Sequence, residues 1–313
     1  MPTRQGSIKL FKLFGIDVYA HWLWFVILIA RMVSHDPSYG SMSRFVVIYL
    51  SLFLIVLVHE FGHALACRQV GGHANQIVLW LFGGVAYVSP PQRPGAMLWS
   101  IAAGPLVNVL LFLILTVLWV TGSSLGWPDS LPGFYFYIRD MWYINTGLLV
   151  FNLMPIYPLD GGQILRSLLW FIFGRARSLL IATIIGFIGV AALLGLAGLL
   201  FLFSDDKQPA VWLGAMDVFI LINCWGGLMQ ARAMAKLAQA ARREGFACPA
   251  CKTPPPQGPF WICGKCRKPF DTFLTRAICP NCGVQYGVTY CPECGSLRPL
   301  SEWGSFLNAP PKL

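Results

Sequence analysis

The chain has 313 residues, of which 56% are hydrophobic and 12% are charged, and its mean hydropathy is +0.62. This composition excludes an ordinary water-soluble domain of that length and indicates a membrane protein. The formal charge of +10 could also indicate a nucleic-acid partner, but basic residues concentrate in the cytoplasmic loops of multipass membrane proteins, and we favour that explanation.

Six apolar segments approach or reach the roughly 18 to 25 residues that a helix needs to cross a bilayer. The first follows a basic N-terminus and lacks a small-residue cleavage site, so we interpret it as a retained span and not as a signal peptide. The chain after about Lys236 is polar and rich in cysteine. The predicted spans are 17–34, 45–70, 96–121, 138–157, 178–203 and 210–232.

Basic residues occupy alternate connections between these spans. By the positive-inside rule, the connections that carry them face the cytosol, which places both termini there. We predict a multipass protein of the plasma membrane, with membrane lipid as a partner. The residues concerned are Lys9 and Lys12 before span one, Arg68 and Arg93 after span two, Arg166, Arg175 and Arg177 after span four, and Arg242 and Arg243 after span six.

Residues 71–95, between spans two and three, contain two short runs rich in β-branched and aromatic side chains. Gly83 and Gly84 separate the runs, and Pro90-Pro91 end the second one, which predicts a β-hairpin. Each run is too short to cross a bilayer, and lipid does not tolerate a bare strand edge, so the hairpin must be interfacial or embedded against protein. It could pair with an extended substrate or serve as a structural plug.

The segment HEFGH, residues 59–63, lies inside the second predicted span. On a helix, His59 and His63 lie on one face and can both reach one zinc ion, while Glu60 stands beside it as a general base. Ionisable groups inside a membrane are costly and usually functional. The alternative is a pair of buried histidines that only form hydrogen bonds.

Catalytic zinc takes three protein ligands and leaves a fourth position open. Asp140 and Asp217 fall in the outer halves of their predicted spans, whereas Asp160 follows the cytosolic end of span four, at the depth of the two histidines. We therefore predict Asp160 as the third ligand. The prolines at 155 and 158 should end the preceding helix, and Gly161-Gly162 should permit a tight turn.

Three motifs together resemble the site-2 protease family of intramembrane zinc metalloproteases. They are HEFGH in a transmembrane segment, AAGPLVN at residues 102–108 and FNLMPIYPLDGG at residues 151–162. The likeness covers roughly residues 8–235, including the opening FKLFGIDVYAHW. It implies zinc ligation by His59, His63 and Asp160, with Glu60 as general base and acid.

The same resemblance implies that two asparagines hold the substrate or the oxyanion. Asn152 matches the asparagine of the family's asparagine-proline-aspartate-glycine motif, and Gly104 with Asn108 matches its Gly-x-x-x-Asn element. An amide inside a membrane helix can also simply bridge helices through hydrogen bonds. We include Gly83 and Gly84 of the hairpin among the candidate substrate-binding residues.

Eight cysteines near the C-terminus form four C-x-x-C pairs, which is typical of two closed zinc sites with four cysteine ligands each. A disulfide framework would need an oxidising compartment, whereas this segment should face the cytosol. Pairing of adjacent pairs and pairing of interleaved pairs both remain open, and with little apolar core the module should fold largely on metal-binding energy. The pairs are Cys248/Cys251, Cys263/Cys266, Cys279/Cys282 and Cys291/Cys294.

The sequence thus predicts a polytopic α-helical membrane bundle of about six transmembrane helices with a membrane-associated β-hairpin, plus a small C-terminal zinc-ribbon module. Residues 1–240 should be an intramembrane metalloprotease with one catalytic zinc. Residues 246–297 should be a tandem ribbon with two structural zincs, which docks a cytosolic protein or regulates substrate access. The substrate should be a transmembrane protein. A non-catalytic assembly factor would not require Glu60, and a zinc transporter would spread its ligands through the membrane depth.

Overall fold

The computed structural model describes residues 6–33, 41–80 and 83–304. The predicted end of span one, at residue 34, lies outside these ranges. The chain divides into two compact units, Met1–Leu228 and Met229–Leu313, and each is described by itself.

The first unit combines a four-stranded sheet with long helices. Its strands are β1 (Ser7–Leu13), β2 (Ile16–His21), β3 (His73–Trp80) and β4 (Gly83–Ser89), and they lie in the order β1-β2-β3-β4. The β1–β2 and β3–β4 pairs are antiparallel, and β2 pairs with β3 in parallel. The helices are α1 (Trp22–Val33), α2 (Met42–Gln69), α3 (Pro94–Ser124), α4 (Trp127–Ser130), α5 (Pro132–Leu153), α6 (Asp160–Phe203) and α7 (Gln208–Gln239), of which residues 208–228 belong to this unit.

Four of the described helices are long and apolar enough to cross a membrane, namely α2, α3, α6 and α7. They make the chain a multipass membrane protein. The described part of α1 has only 12 residues, and Arg139, Asp140 and two asparagines lower the hydropathy of the 22-residue α5. Neither helix is among the four, whereas the sequence predicted six spans.

The prediction that span one begins at residue 17 is wrong, because residues 17–21 belong to β2. Ile16, Val18 and Ala20 alternate along this strand and are fully buried, which is the two-residue period of a half-buried strand. This alternation also fits the beginning of an apolar run, so the β1–β2 hairpin was not predicted from the sequence. Its turn places Phe14 and Gly15 at φ angles of 50° and 73°.

The sheet packs against α2 through a buried apolar core. Ile16, Val18, Ile77 and Leu79 contribute side chains from the two central strands. On the helix, this cluster includes Val56, Leu57, Phe61 and Ala64, which flank or belong to the HEFGH segment. Burial of one face of the sheet therefore fixes the rotation of α2 about its axis and the direction in which its polar residues point.

The predicted hairpin at 71–95 is present as β3 and β4. The helix before Asp160 ends at Leu153, before both prolines, as predicted. Gly161 and Gly162 do not form a turn, however, because they lie in the first turn of α6. A Cβ atom on Gly162 would lie 2.6 Å from the carbonyl oxygen of Ile156, so the glycines permit close approach of the helix start to the preceding loop.

The α6 helix is broken at Gly174, whose φ and ψ angles of 76° and 172° are not helical. The segment after this break, 175–203, contains the predicted span five, and α7 contains the predicted span six.

The second unit contains two short hairpins around an aromatic core. Strands β5 (Trp261–Ile262) and β6 (Pro269–Phe270) form one hairpin, and β7 (Val288–Tyr290) and β8 (Leu297–Pro299) form the other. Four aromatic side chains are buried among the cysteines, so the module has more apolar core than the sequence analysis expected. They are Trp261, Phe270, Phe273 and Trp303.

Arg68, at the end of α2, joins two parts of the sheet, the β1–β2 turn and strand β3, to this helix. Its guanidinium donates hydrogen bonds to the carbonyl oxygens of Phe14 (2.5 Å), Gly15 (3.2 Å) and Ala74 (2.9 Å from Nε). Replacing Arg68 by Ala should lower the free energy of unfolding by roughly 2 kcal/mol, because charged hydrogen bonds contribute more than neutral ones.

The measurement is thermal unfolding of the detergent-solubilised protein. Arg177→Ala is the matched control, because Arg177 is exposed and forms no side-chain hydrogen bond within the described ranges. Equal melting temperatures for the Arg68→Ala protein and the unmodified protein would contradict the role assigned to Arg68.

Candidate metal centre

Two histidines of α2 and the first residue of α6 bring three potential ligand atoms together. His59 Nε2 lies 3.0 Å from His63 Nε2. Asp160 Oδ2 lies 3.0 Å from His59 Nε2 and 3.3 Å from His63 Nε2. Because His59 and His63 are one helical turn apart, both imidazoles lie on one face of α2. The carboxylate comes from Asp160, the first residue of α6.

This triangle has the dimensions of one face of a tetrahedral coordination site. Ligand atoms about 2.0 to 2.1 Å from a zinc ion would lie about 3.3 Å from one another, close to the three observed distances. Two imidazoles and one carboxylate are also a donor set that zinc accepts while keeping a fourth position open. The three residues therefore fit a metal ion of this kind.

The second nitrogen of each imidazole is hydrogen-bonded, and its partner identifies the tautomer. His63 Nδ1 lies 2.9 Å from the carbonyl oxygen of Ser100, and His59 Nδ1 lies 2.5 Å from Asn108 Oδ1. Because these oxygens can only accept, both Nδ1 atoms carry the proton, which leaves the Nε2 lone pairs directed at the shared centre.

Asn108 of α3 is held in turn by Asn145 of α5. Asn108 Nδ2 donates to Asn145 Oδ1 at 2.8 Å, and Asn145 Nδ2 donates to the backbone carbonyl oxygen of Asn108 at 2.9 Å. Both side chains are essentially inaccessible to solvent. Asn145 is not among the residues predicted from the sequence. It could have been found as a second amide in a segment predicted to span the membrane, two helical turns before Asn152.

Glu60 faces strand β4. Its Oε2 accepts a hydrogen bond of 2.7 Å from the backbone N–H of Ala86. A Cβ atom on Gly84 would lie 2.6 Å from Glu60 Oε1, so only glycine lets the strand approach this closely without a shift. The predicted hairpin and the HEFGH segment therefore meet directly.

Close packing of α2 on α3 positions the two histidines. A Cβ atom on Gly62 would lie 2.7 Å from the carbonyl oxygen of Ala103, and one on Gly104 would lie 2.8 Å from His59 Nε2 and also overlap His63. Gly104 therefore provides the space that the ligands occupy.

A cavity of about 470 Å³ opens onto this centre. Its walls come from α2, β4, α3, the end of α5, the start of α6 and α7. It is lined by every residue that the sequence analysis assigned to the membrane site, namely His59, Glu60, His63, Gly83, Gly84, Asn108, Asn152 and Asp160.

The eight cysteines of the second unit form two groups that could each hold a metal ion. The first C-x-x-C pair joins the fourth, and the second joins the third, so the arrangement is nested. This differs from both the adjacent and the interleaved pairing. The outer group has Sγ distances of 3.8 Å (Cys248–Cys294) and 3.7 Å (Cys251–Cys291), and the inner group has distances of 3.5 Å (Cys263–Cys282) and 3.6 Å (Cys266–Cys279).

These distances match the edges of a zinc tetrathiolate, which measure about 3.8 Å for zinc–sulfur bonds near 2.3 Å. The residue after the second cysteine of each pair has a positive φ angle, which turns the backbone around the sulfur: 61° at Lys252, 61° at Arg267, 72° at Gly283 and 74° at Gly295. Hydrogen bonds from the Cys266 N–H and the Tyr286 hydroxyl lower the pKa of the Cys263 thiol, whereas desolvation and the neighbouring thiols raise the pKa of Cys282 in the same group.

Part of this chain is similar to known zinc metalloproteases. The model of peptidase family M50 matches residues 47–196. A relative from Synechocystis sp. is 33% identical over 193 residues, which cover 58% of this chain and 49% of the relative. A zinc metalloprotease from Methanocaldococcus jannaschii is 32% identical over 183 residues, which cover 58% of this chain and 50% of the relative. The chain therefore spans about half the length of these two relatives.

Among solved structures, the site-2 protease from Methanocaldococcus jannaschii aligns with a TM-score of 0.48 and 25% identity, and the alignment covers 71% of this chain and 95% of that chain.

Replacing Gly104 by Ala should weaken metal binding at the His59, His63 and Asp160 group by about tenfold or more, because the added methyl group would displace both imidazoles. The measurement is the zinc content per chain during titration with a chelator. Gly147→Ala is the control, because a Cβ atom there meets no atom within 4 Å. Equal zinc retention in both variants would contradict the packing argument.

The nested pairing makes a second prediction, which uses double cysteine-to-serine variants. Cys251→Ser combined with Cys294→Ser disrupts one group and should remove one zinc ion per chain, whereas Cys251→Ser combined with Cys266→Ser disrupts both groups and should remove two. Adjacent pairing requires the reverse of this pattern. Zinc analysis of the purified variants distinguishes the arrangements.

Proposed function

We propose that this chain, whose residues 47–196 match the model of peptidase family M50, is an intramembrane zinc metalloendopeptidase. It hydrolyses peptide bonds in or near transmembrane segments of membrane proteins, in regulated intramembrane proteolysis. The observation that carries this proposal is the convergence of two imidazoles and a carboxylate beside Glu60, within long apolar helices.

His59, His63 and Asp160 would hold the catalytic zinc. When bound, this ion supplies Lewis acidity that polarises the scissile carbonyl and makes water more acidic. Glu60 takes the proton from the attacking water as general base and passes it to the leaving nitrogen as general acid. Its hydrogen bond to the Ala86 N–H holds the carboxylate within the cavity during these steps.

Strand β4 would present the substrate to this centre. A transmembrane helix hides its carbonyl groups in hydrogen bonds, so the substrate has to unwind before it can be cut. β4 is an edge strand that lines the cavity, and an unwound segment can pair with such an edge. Gly83 and Gly84 would leave room for the substrate backbone, and Asn152, which also lines the cavity, would hold a carbonyl group.

The four long helices, together with α1 and α5 as shorter membrane segments, would give about six transmembrane elements. The basic connections support a cytosolic location for both termini in the plasma membrane. The protease domain would comprise residues 1–240. Residues 246–297 would form the tandem zinc ribbon, whose two structural zincs stabilise a surface that recruits a cytosolic protein or regulates access, without nucleic acid.

Replacing Glu60 by Gln should reduce peptide cleavage by at least about 100-fold, because the amide cannot accept the proton. The zinc content should stay at one ion for each of the three groups. The Asp160→Ala variant should have no cleavage activity and should bind one zinc ion fewer per chain. Substrates need not be known, because new N-termini in membranes that contain the unmodified protein can be compared with those from the Glu60→Gln variant.

The result against the proposal would be an unchanged set of new N-termini in the Glu60→Gln sample. A chain that acts only as a binding or assembly factor would give this result, because zinc retention alone would then suffice for its role.

A further inference from the structure

We propose that Asn145 is a positioning residue, which fixes the tautomer of His59 through Asn108 and thereby maintains the metal affinity of the site. The proposal rests on the metal centre that His59, His63 and Asp160 form under the proposed function. It concerns two buried amides. Asn108 on α3 contacts the ligand His59, and Asn145 on α5 contacts Asn108.

His59 can bind the metal through Nε2 only if its proton lies on Nδ1. The partner of Nδ1 is the side-chain amide of Asn108, at 2.5 Å. An amide has an oxygen that accepts and a nitrogen that donates, and rotation by 180° exchanges them at little steric cost. In the rotated state the NH2 group would face Nδ1, move the proton of His59 to Nε2 and block the lone pair that the metal needs.

Asn145 removes this ambiguity. Its Nδ2 donates to the backbone carbonyl oxygen of Asn108 at 2.9 Å, and a backbone carbonyl can only accept. The orientation of the Asn145 amide is therefore fixed, so that its Oδ1 faces Asn108 and accepts from Asn108 Nδ2 at 2.8 Å. Rotation of Asn108 would bring two oxygens together and break this bond.

These three hydrogen bonds form a relay that runs from the backbone carbonyl of Asn108 through the Asn145 and Asn108 side chains to Nδ1 of His59. The direction of donation along this relay leaves the Nε2 lone pair of His59 free for the metal. The other histidine needs no relay, because the Ser100 carbonyl oxygen contacts His63 Nδ1 directly at 2.9 Å. Asn108 and Asn145 have 1% and 0% of their surfaces exposed, so in the folded protein their hydrogen-bond partners are protein groups and not bulk water. Both ends of the Asn108 amide are engaged, which favours this supporting role over contact with the substrate.

The test replaces Asn145 by Ala and measures zinc per chain as a chelator is added, with the Asp160→Ala variant as the blank for the cysteine sites. Zinc affinity of the membrane site should fall about tenfold, the lower end of the range for residues that orient a metal ligand. Asn145→Val removes the same hydrogen bonds without leaving a cavity. If the Asn145→Ala variant does not yield folded protein, the Asn145→Val variant replaces it, and the same loss of zinc affinity is expected.

Thr116→Val is the matched control. Thr116 accepts a 2.8 Å hydrogen bond from Trp142 Nε1, which also joins α3 to α5 but does not reach the relay. Its loss should leave zinc affinity within about twofold of the unmodified protein. Equal losses in the Thr116 and Asn145 variants would show that helix packing alone is responsible, and would overturn the proposal.

A rescue variant separates polarity from packing. A carboxylate presents an acceptor oxygen in either orientation, so Asn108→Asp makes the relay unnecessary. The double variant Asn108→Asp with Asn145→Ala should bind zinc within about threefold of the unmodified protein. Persistent weak binding in this variant, or unchanged binding in Asn145→Ala alone, would reject the role of Asn145. If Asp160→Ala retains all its zinc, the proposed metal site itself is wrong.

Discussion

The site depends on one constraint, which is that polar groups inside a membrane protein have to find partners where water is scarce. A cluster of two imidazoles and two carboxylates is therefore possible only if the surrounding backbone supplies donors and acceptors. The Ser100 carbonyl oxygen serves His63, and the Ala86 N–H serves Glu60. Helix α3 and strand β4 supply these two groups, so the positions of both elements are tied to the chemistry of α2.

The same constraint explains why small residues surround the histidines. Backbone groups can reach buried side chains only when two elements approach closely, and glycine is what permits this approach at Gly62, Gly84 and Gly104. The packing of the elements around α2 therefore also determines the positions of the metal ligands. A change of one methyl group between α2 and α3 alters the spacing of the helices and the direction of the ligands together.

The parts of the structure that the sequence predicted are those with a strong local signal. A histidine pair one helical turn apart, C-x-x-C pairs and two short β-rich runs each follow from short-range geometry, and all were found in the expected elements. Gly83 and Gly84, which were predicted to separate the two runs, are instead the first residues of β4. The β1–β2 hairpin was missed because its alternating apolar residues also fit the beginning of a hydrophobic helix. Short elements of this kind are distinguished only by what they pack against, here the sheet core around Ile77 and Leu79.

Two further features were beyond local signals because they join distant segments. Asn145 contacts Asn108 across 37 residues of sequence, and the nested cysteine groups depend on how two hairpins fold onto each other. Neither spacing nor composition selects one partner from several chemically equal ones. The count of spans differed for another reason, since α5 carries charged and amide side chains that a search for apolar length does not accept.

The nested cysteine arrangement also gives the two groups of the second unit loops of different length. The inner group links Cys266 to Cys279 across 13 residues, whereas the outer group links Cys251 to Cys291 across 40. Closing the short inner loop first costs less chain entropy and shortens the free segment that the outer group must then enclose. The inner group would therefore be the less costly of the two to close around a metal ion, and the outer group would gain from an inner group that is already closed.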